Sequence, residues 1–176
     1  PWDAIDATDH AVDVDFTELL SGGSRSGVSS TATVISVATG SGIILRCPEC
    51  KRAMRDGACM NPACNSQGPQ VGIEDLRLRL ILDDGISNGA IILARASAED
   101  FLEMSMDDVK AACKSDQGES FLADLRSKML GRKYTFTGRA MIDAQGALLM
   151  ADNFKIAESE LAESANVVRE QWGVFV

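Results

Sequence analysis

The chain has 176 residues, of which 45% are hydrophobic and 24% are charged, and its formal net charge is −9. This length suits one domain with appendages, and the ordinary apolar and charged fractions exclude global disorder. No apolar run approaches the roughly 20 residues that span a bilayer, and no signal peptide opens the chain, so we expect a cytoplasmic protein without a membrane span. Because the chain begins at Pro1 and not at Met, we also expect a longer polypeptide to precede it.

The acidic side chains are concentrated at the two ends of the chain. Residues 1–40 carry one basic and six acidic side chains, and residues 140–176 carry two and six. The middle of the chain, residues 41–139, holds 14 of each. A net charge of −9 by itself disfavours nucleic-acid binding, but this distribution permits a local basic groove in the central part.

The first 27 residues have the composition of an acidic leader that ends in a linker. Acidic residues recur through residues 3–18, and residues 21–27 consist of Gly and Ser with a single Arg. Such a Gly/Ser-rich run is typical of a flexible linker, although scattered apolar residues such as Trp2 would also suit a short helix. We therefore expect residues 1–27 to precede the folded domain.

The first predicted strand is interrupted once. Residues 29–37 are rich in β-branched side chains, which favours a strand. The glycines of Gly40-Ser-Gly42 predict a turn or bulge, and the strand resumes at residues 43–46.

The second and third predicted strands form a hairpin. Residues 76–80 alternate strictly, with leucines on one face and Arg77 and Arg79 on the other. Residues 83–89 supply turn-forming side chains. Residues 90–95 then predict the third strand.

A helical segment follows the hairpin. Ser97 and Ser105 each precede an acidic residue three positions on, which is the pattern of a helix N-cap, so each predicts a short helix. Apolar residues at helical spacing over residues 121–129 predict a third helix. Residues 133–139 and 148–154 then predict two strands joined as a second hairpin.

Four of the five cysteines fall within 18 residues, as the pairs Cys47-x2-Cys50 and Cys59-x4-Cys64. Such short spacings deliver two ligands from one turn, and four thiolates in a tetrahedron are typical of a structural zinc site. In a chain without a secretion signal they indicate metal ligands and a reducing compartment. An iron–sulfur site is the main alternative. The fifth, Cys113, is expected to be a small buried residue.

This site is predicted to be structural. A catalytic zinc keeps an open position beside three protein ligands, whereas four cysteines fill the tetrahedron. No nucleophile, carboxylate pair or phosphate loop stands out elsewhere in the chain, so we expect no enzyme activity.

The predicted element order is that of an OB-fold. Three strands, a helical segment and two strands match a five-stranded barrel whose helix lies between the third and fourth strands. We therefore expect an all-β-dominated domain over residues 28–156, with a zinc ribbon inserted at about 47–70, and a C-terminal amphipathic helix over residues 157–176. The apolar stripe of that helix is formed by Leu161, Ala165, Val168 and Trp172. The helix would either lie against the barrel or engage partner helices.

Three segments that occur in this order resemble the zinc-containing OB-fold of archaeal replication protein A: residues 34–50, 75–85 and 131–139. They are also similar to the C-terminal DNA-binding domain of the eukaryotic large subunit, where a zinc ribbon interrupts the barrel between the first two strands. The resemblance covers residues 28–156. In archaeal relatives the second pair of metal ligands is often Cys-x2-His, whereas here it is Cys59-x4-Cys64, with Cys64 as the fourth ligand.

The resemblance implies a domain that holds single-stranded DNA without reading its sequence, in DNA replication, repair and recombination, and hence a nucleoid-associated location. Such sites combine basic side chains along the phosphates with aromatic platforms for the bases. The candidate DNA-binding residues are basic and aromatic side chains of the ribbon and strands: Arg46, Lys51, Arg55, Arg77, Arg79, Arg95, Lys133, Tyr134, Phe136 and Arg139, with Phe154 as a further aromatic. Tyr134 and Phe136 share a face, and such a pair of rings is more often part of the barrel core.

The resemblance also implies that the C-terminal helix joins a three-helix bundle with the smaller subunits of a replication protein A-type complex. Two alternatives remain. One is a trimerisation scaffold that binds little DNA, which the acidic ends favour. The other is a zinc-ribbon factor of transcription or translation that contacts folded RNA or a polymerase.

Overall fold

A computed structural model of the chain describes residues 11–66, 68–114, 118–143 and 146–157. Nine strands and four helices lie within these ranges. The strands are β1 (Val12–Asp13), β2 (Arg25–Val37), β3 (Gly42–Arg46), β4 (Met54–Arg55), β5 (Ala58–Cys59), β6 (Ile73–Asp83), β7 (Asn88–Leu93), β8 (Lys133–Asp143) and β9 (Gly146–Ile156). The helices are α1 (Phe16–Ser21), α2 (Arg95–Leu102), α3 (Met106–Cys113) and α4 (Glu119–Met129).

The long strands close into a ring. The first part of β2 pairs with β8 and its last part pairs with β6, in both cases antiparallel. The ring continues from β6 to β7, from β7 to β9 in parallel, and from β9 back to β8. β3 continues the line of β2 along β6, so these two strands together form the first strand of the barrel. This connectivity is that of an OB-fold, which confirms the predicted fold class.

The alternation in β6 builds the centre of the core. Its inward side chains, all fully buried, are Leu76, Leu78, Leu80 and Leu82. Burial of each leucine stabilises the fold by about 1.5–3 kcal/mol. The strands and helices around β6 contribute further fully buried side chains, among them Val34, Ile91, Phe136 and Leu149. The residues between the leucines of β6 therefore point away from the core.

Three helices connect β7 to β8, as predicted. Ser105 caps α3: its side chain accepts the Asp108 N–H, and the Asp108 carboxylate accepts the Ser105 N–H. The start predicted for α2 was wrong, because this helix begins at Arg95 without a side-chain cap. Ser97 lies inside it, and its hydroxyl donates to the Asp152 carbonyl oxygen at 3.1 Å.

A helix, α1, lies within residues 1–27, for which an acidic leader and linker was expected, with a short helix as the alternative. Phe16 and Leu19 of α1 are 0% and 1% exposed. The Asp84 carboxylate in the β6–β7 turn accepts the Phe16 N–H at 2.7 Å. Gly89 of β7 makes room for the Phe16 ring, which a Cβ at that position would overlap. Regular structure thus begins well before Val28, because these long-range contacts hold the segment on the barrel.

The predicted C-terminal helix lies outside the described residues, together with its proposed stripe of Leu161, Ala165, Val168 and Trp172. The longest of the described helices, α4, has 11 residues. No helix in the described part combines the length and the apolar character that a bilayer crossing requires.

The contact between the Phe16 ring and Gly89 leads to a testable prediction about stability. Replacing Phe16 by Ala should lower the free energy of unfolding by about 3–5 kcal/mol, because the ring is fully buried. Gly89→Ala should cost about 1–3 kcal/mol, because its new methyl group overlaps the ring. In the double variant the methyl group meets no ring. The loss of unfolding free energy in the double variant should therefore be smaller than the sum of the losses in the two single variants. Urea denaturation measures all three.

Leu20→Ala, on the same helix, is the matched control. Leu20 is 44% exposed, so its loss should change the unfolding free energy by only about 0.5 kcal/mol. Strict additivity of the Phe16 and Gly89 changes would show that the two residues are not in contact.

Candidate metal centre and nucleic-acid interface

The ribbon occupies the connection between β3 and β6, and it holds Cys47, Cys50, Cys59 and Cys64. Within it, β4 and β5 form a hairpin with a two-residue turn. The turn residues Asp56 and Gly57 have φ angles of 50° and 75°. Positive φ at both positions is typical of the tight turn that follows the natural twist of a hairpin. The hairpin brings the two halves of the ribbon together.

The four cysteine sulfurs converge on one point. All four Sγ atoms lie within 4.8 Å of one another. The Cys47–Cys64 sulfur distance is 3.8 Å and the Cys50–Cys59 distance is 3.5 Å. Sulfurs about 2.3 Å from a central ion in a tetrahedron lie about 3.8 Å apart, so this cluster fits a four-coordinate metal ion. Cys64, at its longer spacing, belongs to the cluster as closely as the other three.

Backbone N–H groups favour the thiolate forms of the first cysteine pair, Cys47 and Cys50. The Cys50 N–H lowers the pKa of Cys47, and the Arg52 N–H lowers the pKa of Cys50 to about 6. The Asn61 N–H also favours the thiolate of Cys59, but burial and the neighbouring sulfurs outweigh it and raise the pKa of Cys59 to about 12. Each ionised sulfur therefore disfavours the next. A bound cation removes this obstacle by neutralising the thiolates and displacing their protons.

Two arginines of β6 face a groove between the barrel and the ribbon. Arg77 and Arg79 alternate with the buried leucines, so both point outward. The groove has a volume of about 550 Å³, and Arg55 at the end of β4 lies on its ribbon side. Asp56 also lines it. Three of the predicted DNA-binding cations are thus brought together around one groove.

Arg77 is held at the wall of this groove, which from here on is called the ribbon groove. Its Nη2 donates to the Gly40 carbonyl oxygen at 3.2 Å. Burial lowers the pKa of Arg77, and the nearby guanidinium groups of Arg46 and Arg79 lower it further, while Asp75 acts in the opposite direction. Arginine stays protonated in proteins all the same. An anion in the ribbon groove would relieve the repulsion between these cations.

An outward-facing row continues from Arg79 across the sheet. Arg79 is paired with Ile92 of β7, Ile92 with Met150 of β9, and Met150 with Arg139 of β8. Directly opposed residues on neighbouring strands share a face. Ile92 and Met150 are half-buried, whereas Arg139 is exposed and lines a second groove of about 380 Å³. The row therefore joins two arginines through an apolar strip.

Two other predicted cations lie near the ribbon but are already engaged. Arg46, at the end of β3, forms an ion pair with Asp75. Lys51 has a positive φ of 60° and donates to the Pro48 carbonyl oxygen at 2.7 Å. Both side chains contribute to the geometry of the loop that holds Cys47 and Cys50.

The structure does not bring the last two predicted cations to the ribbon groove. Arg95 was predicted on the third strand, but it is the first residue of α2 and pairs with Glu99 at 3.3 Å. Lys133 is exposed at the start of β8, opposite Thr33 of β2. Neither residue lines the ribbon groove.

Tyr134 and Phe136, proposed as platforms for bases, lie in the core. They are 4% and 0% exposed, and their ring centroids lie 5.2 and 6.0 Å from that of Phe101. Phe154 is half-buried and meets Phe101 edge-on at 4.8 Å. The assignment of the first two rings to the DNA-binding set is therefore corrected: the inward face of β8 uses them to fill the barrel.

The apolar part of the ribbon groove was not predicted from the sequence. Ile44 of β3, Met54 of β4 and Met60 lie beside its arginines. Met60 is 58% exposed. Two methionines among the ribbon's charged residues were the available signal, but nothing in the sequence says which face they occupy.

No protein-family model and no curated protein sequence matches this chain. Solved structures do match it. A chain of a replication protein A heterotrimer bound to single-stranded DNA is 13% identical over 82% of this chain, with a TM-score of 0.50. The two chains share the OB-fold. The match covers 34% of that other chain, so this chain spans about a third of its length.

Two further solved structures are similar. A chain from yeast replication protein A bound to single-stranded DNA is 14% identical, with 84% of this chain and 85% of that chain covered and a TM-score of 0.49. The second OB-fold domain of replication protein A from Methanococcus maripaludis is 16% identical, with 85% and 99% covered and a TM-score of 0.43.

The cysteine cluster makes a prediction about metal content. The full chain should carry one metal ion, and the double variant Cys47→Ser/Cys64→Ser should carry none, because it lacks two of four ligands. Elemental analysis of the purified proteins by mass spectrometry measures both. Cys113→Ser is the matched control and should keep the metal, since Cys113 lies outside the cluster. A double variant with undiminished metal content would show that these residues are not the ligands.

Proposed function

We propose that this chain is a single-stranded DNA-binding OB domain of a replication protein A-type complex, in DNA replication, repair and recombination. The observation that carries the proposal is the outward face of β6. There Arg77 and Arg79 face Arg55 of the ribbon across a groove of about 550 Å³. The domain acts by binding and not by catalysis.

This face offers separate surfaces to the two parts of a nucleotide. The three guanidinium groups of the ribbon groove suit phosphates, which bind basic side chains without regard to sequence. The row from Arg79 to Arg139 offers apolar contact through Ile92 and Met150. Guanidinium planes can also stack on bases. The combination favours a strand whose bases are unpaired and exposed.

The affinity of the isolated domain should be modest. Every aromatic side chain in the described part of the chain is buried or half-buried, and stacking on an exposed ring contributes about 1–3 kcal/mol per base in other single-strand binders. The domain would gain by acting beside neighbouring OB-folds, because tethered modules bind the same strand at a high effective concentration.

Zinc is the metal that suits the cysteine cluster best. Four thiolates with tetrahedral spacing form a closed structural site, in which the ion touches no substrate. Its role in this proposal is to fold the ribbon, which places Arg55 opposite β6. Zinc gives a colourless protein, whereas an iron–sulfur cluster would give visible absorption bands.

A second candidate function is a scaffold for subunit assembly with little DNA binding. The excess of 26 acidic over 17 basic residues favours it, and so does the burial of the described aromatic rings. A scaffold would present the same barrel and ribbon, but it would show no affinity for single strands at any salt concentration.

The DNA-binding proposal predicts a salt-dependent affinity. The full chain should bind a fluorescent single-stranded oligonucleotide, and the logarithm of its association constant should fall linearly with the logarithm of salt concentration. Arg55→Ser/Arg79→Ser should weaken binding and make that slope shallower by about 0.7 per lost phosphate contact. Fluorescence anisotropy at several salt concentrations gives both quantities.

Lys128→Ser is the control for the removal of a cation. Lys128 is exposed on α4, where it pairs with Asp124 at 2.8 Å, so its loss should leave the salt slope unchanged. Absence of binding by the unmodified chain at low salt would favour the scaffold.

The proposed subunit association gives a separate prediction. Deletion of residues 158–176 should abolish association with the partner subunits and leave a folded monomer, since β9 ends before the cut, at Ile156. Light scattering on the complex, with and without the deletion, measures the change in mass. Unchanged assembly would assign the association to the barrel.

A further inference from the structure

Three parts of the chain meet at the end of the barrel where β9 finishes. The Ala157 N–H donates to the Lys133 carbonyl oxygen at 3.0 Å. Just before Lys133, the Gly131 N–H donates to the Val34 carbonyl oxygen, and the Val34 N–H donates to the Arg132 carbonyl oxygen, both at 2.9 Å. The end of β9, the start of β8 and the last part of β2 are therefore neighbours.

This end of the barrel exposes large apolar side chains. Ile35 and Leu130 each adjoin one of these hydrogen-bonded residues, and they are 50% and 45% exposed. Ile156, at the end of β9, is 60% exposed. Exposed apolar side chains that are grouped in this way are typical of a contact surface. We call these three residues, with Arg132 and Lys133, the barrel-end surface.

A groove beside α4 continues from the barrel-end surface. Its volume is about 530 Å³, and its lining includes Leu122, Ala123 and Arg126 of α4 with Thr39 after β2. Leu122, Arg126 and Leu130 follow one another at four-residue spacing, which places them along one side of the helix. α4 has 11 residues, so this strip is about 16 Å long. We call it the α4 groove.

The charge of the barrel-end surface is opposite to that of the segment that follows β9. Arg132 and Lys133 are exposed, and neither forms an ion pair with the described residues. Residues 158–176 carry four glutamates and one arginine. The first two, Glu158 and Glu160, come one and three positions after the end of the described chain, so their backbone lies within about 11 Å of it. Both carboxylates are thus within reach of the two cations.

The apolar stripe of residues 158–176 matches the α4 groove in length. Leu161 and Trp172, its first and last members, are 11 positions apart, which corresponds to about 16 Å in the predicted helix. The segment is also attached to the surface that it would cover. Such attachment gives an effective concentration of about millimolar, so a contact of modest strength is populated.

We propose that residues 158–176 fold back on their own barrel in the free chain. Glu158 and Glu160 lie beside Arg132 and Lys133, and the apolar stripe covers the α4 groove. This inference goes beyond the proposed function, because it concerns the chain before it meets a partner. Association with partner helices then has to displace the stripe from the groove, so the barrel-end surface competes with the partner subunits.

The test uses the fluorescence of Trp172 in the full chain. The chain has two tryptophans, so Trp2→Phe leaves Trp172 as the only one. In this background the emission of Trp172 should be shielded from acrylamide. Arg132→Glu/Lys133→Glu should shift its emission to longer wavelength and raise its quenching, towards the values of the same chain in urea. Leu130→Gln should act in the same direction.

A charge exchange separates a direct contact from a loss of structure. Glu158→Lys/Glu160→Lys should expose Trp172 as Arg132→Glu/Lys133→Glu does. All four changes together restore opposite charges across the contact and should restore the shielding.

Arg52→Glu/Arg55→Glu is the matched control for charge. Both arginines are exposed on the ribbon, outside the barrel-end surface, so this variant should leave the quenching of Trp172 unchanged.

Three results would overturn the inference. They are a Trp172 that is as accessible in the Trp2→Phe chain as in urea, no recovery in the fourfold variant, and shielding that disappears on dilution, which would assign the surface to a second copy of the chain. The DNA-binding proposal stands or falls separately, on the salt dependence of oligonucleotide binding.

Discussion

The strict alternation of leucine and arginine side chains along β6 sets the positions of both the core and the basic face. This strand is hydrogen-bonded to β2, β3 and β7, and its four inward leucines are fully buried. Because successive side chains point to opposite faces, Arg77 and Arg79 have to face outward. A slip of one residue would put both guanidinium groups into the core, at a cost on the order of several kcal/mol for each ion. The packing that builds the barrel therefore also builds its basic face.

Two elements outside the five-stranded ring bound that face. The ribbon lies at one end, where four cysteine sulfurs within 4.8 Å of one another allow a metal ion to hold its two halves together. At the other end α1 is held by Phe16 in the core and by the hydrogen bond to Asp84. The ribbon presents Arg55 and α1 presents Leu20.

The limits of sequence reasoning are clearest on β8 and at α2. Alternation shows that Tyr134 and Phe136 share one face, but the pattern is the same whether that face points to solvent or to the core. Burial against Phe101 decided it. Arg95 follows an apolar run that reads as a strand, yet α2 begins there. α2 packs against β6, β7 and β9, and no local sequence pattern records these contacts.

Local sequence patterns were enough to predict the cysteine cluster, the order of the barrel strands and of the three helices between β7 and β8, the outward position of the β6 arginines and the cap at Ser105. Each of these depends on spacings of a few residues, which the chain carries locally. The folded structure was needed to show which cations share a groove, which rings fill the core and that α1 packs on the barrel. Those features depend on contacts between distant residues, such as Phe16 and Asp84, which lie 68 positions apart. Such pairs become neighbours only when the ring of strands closes.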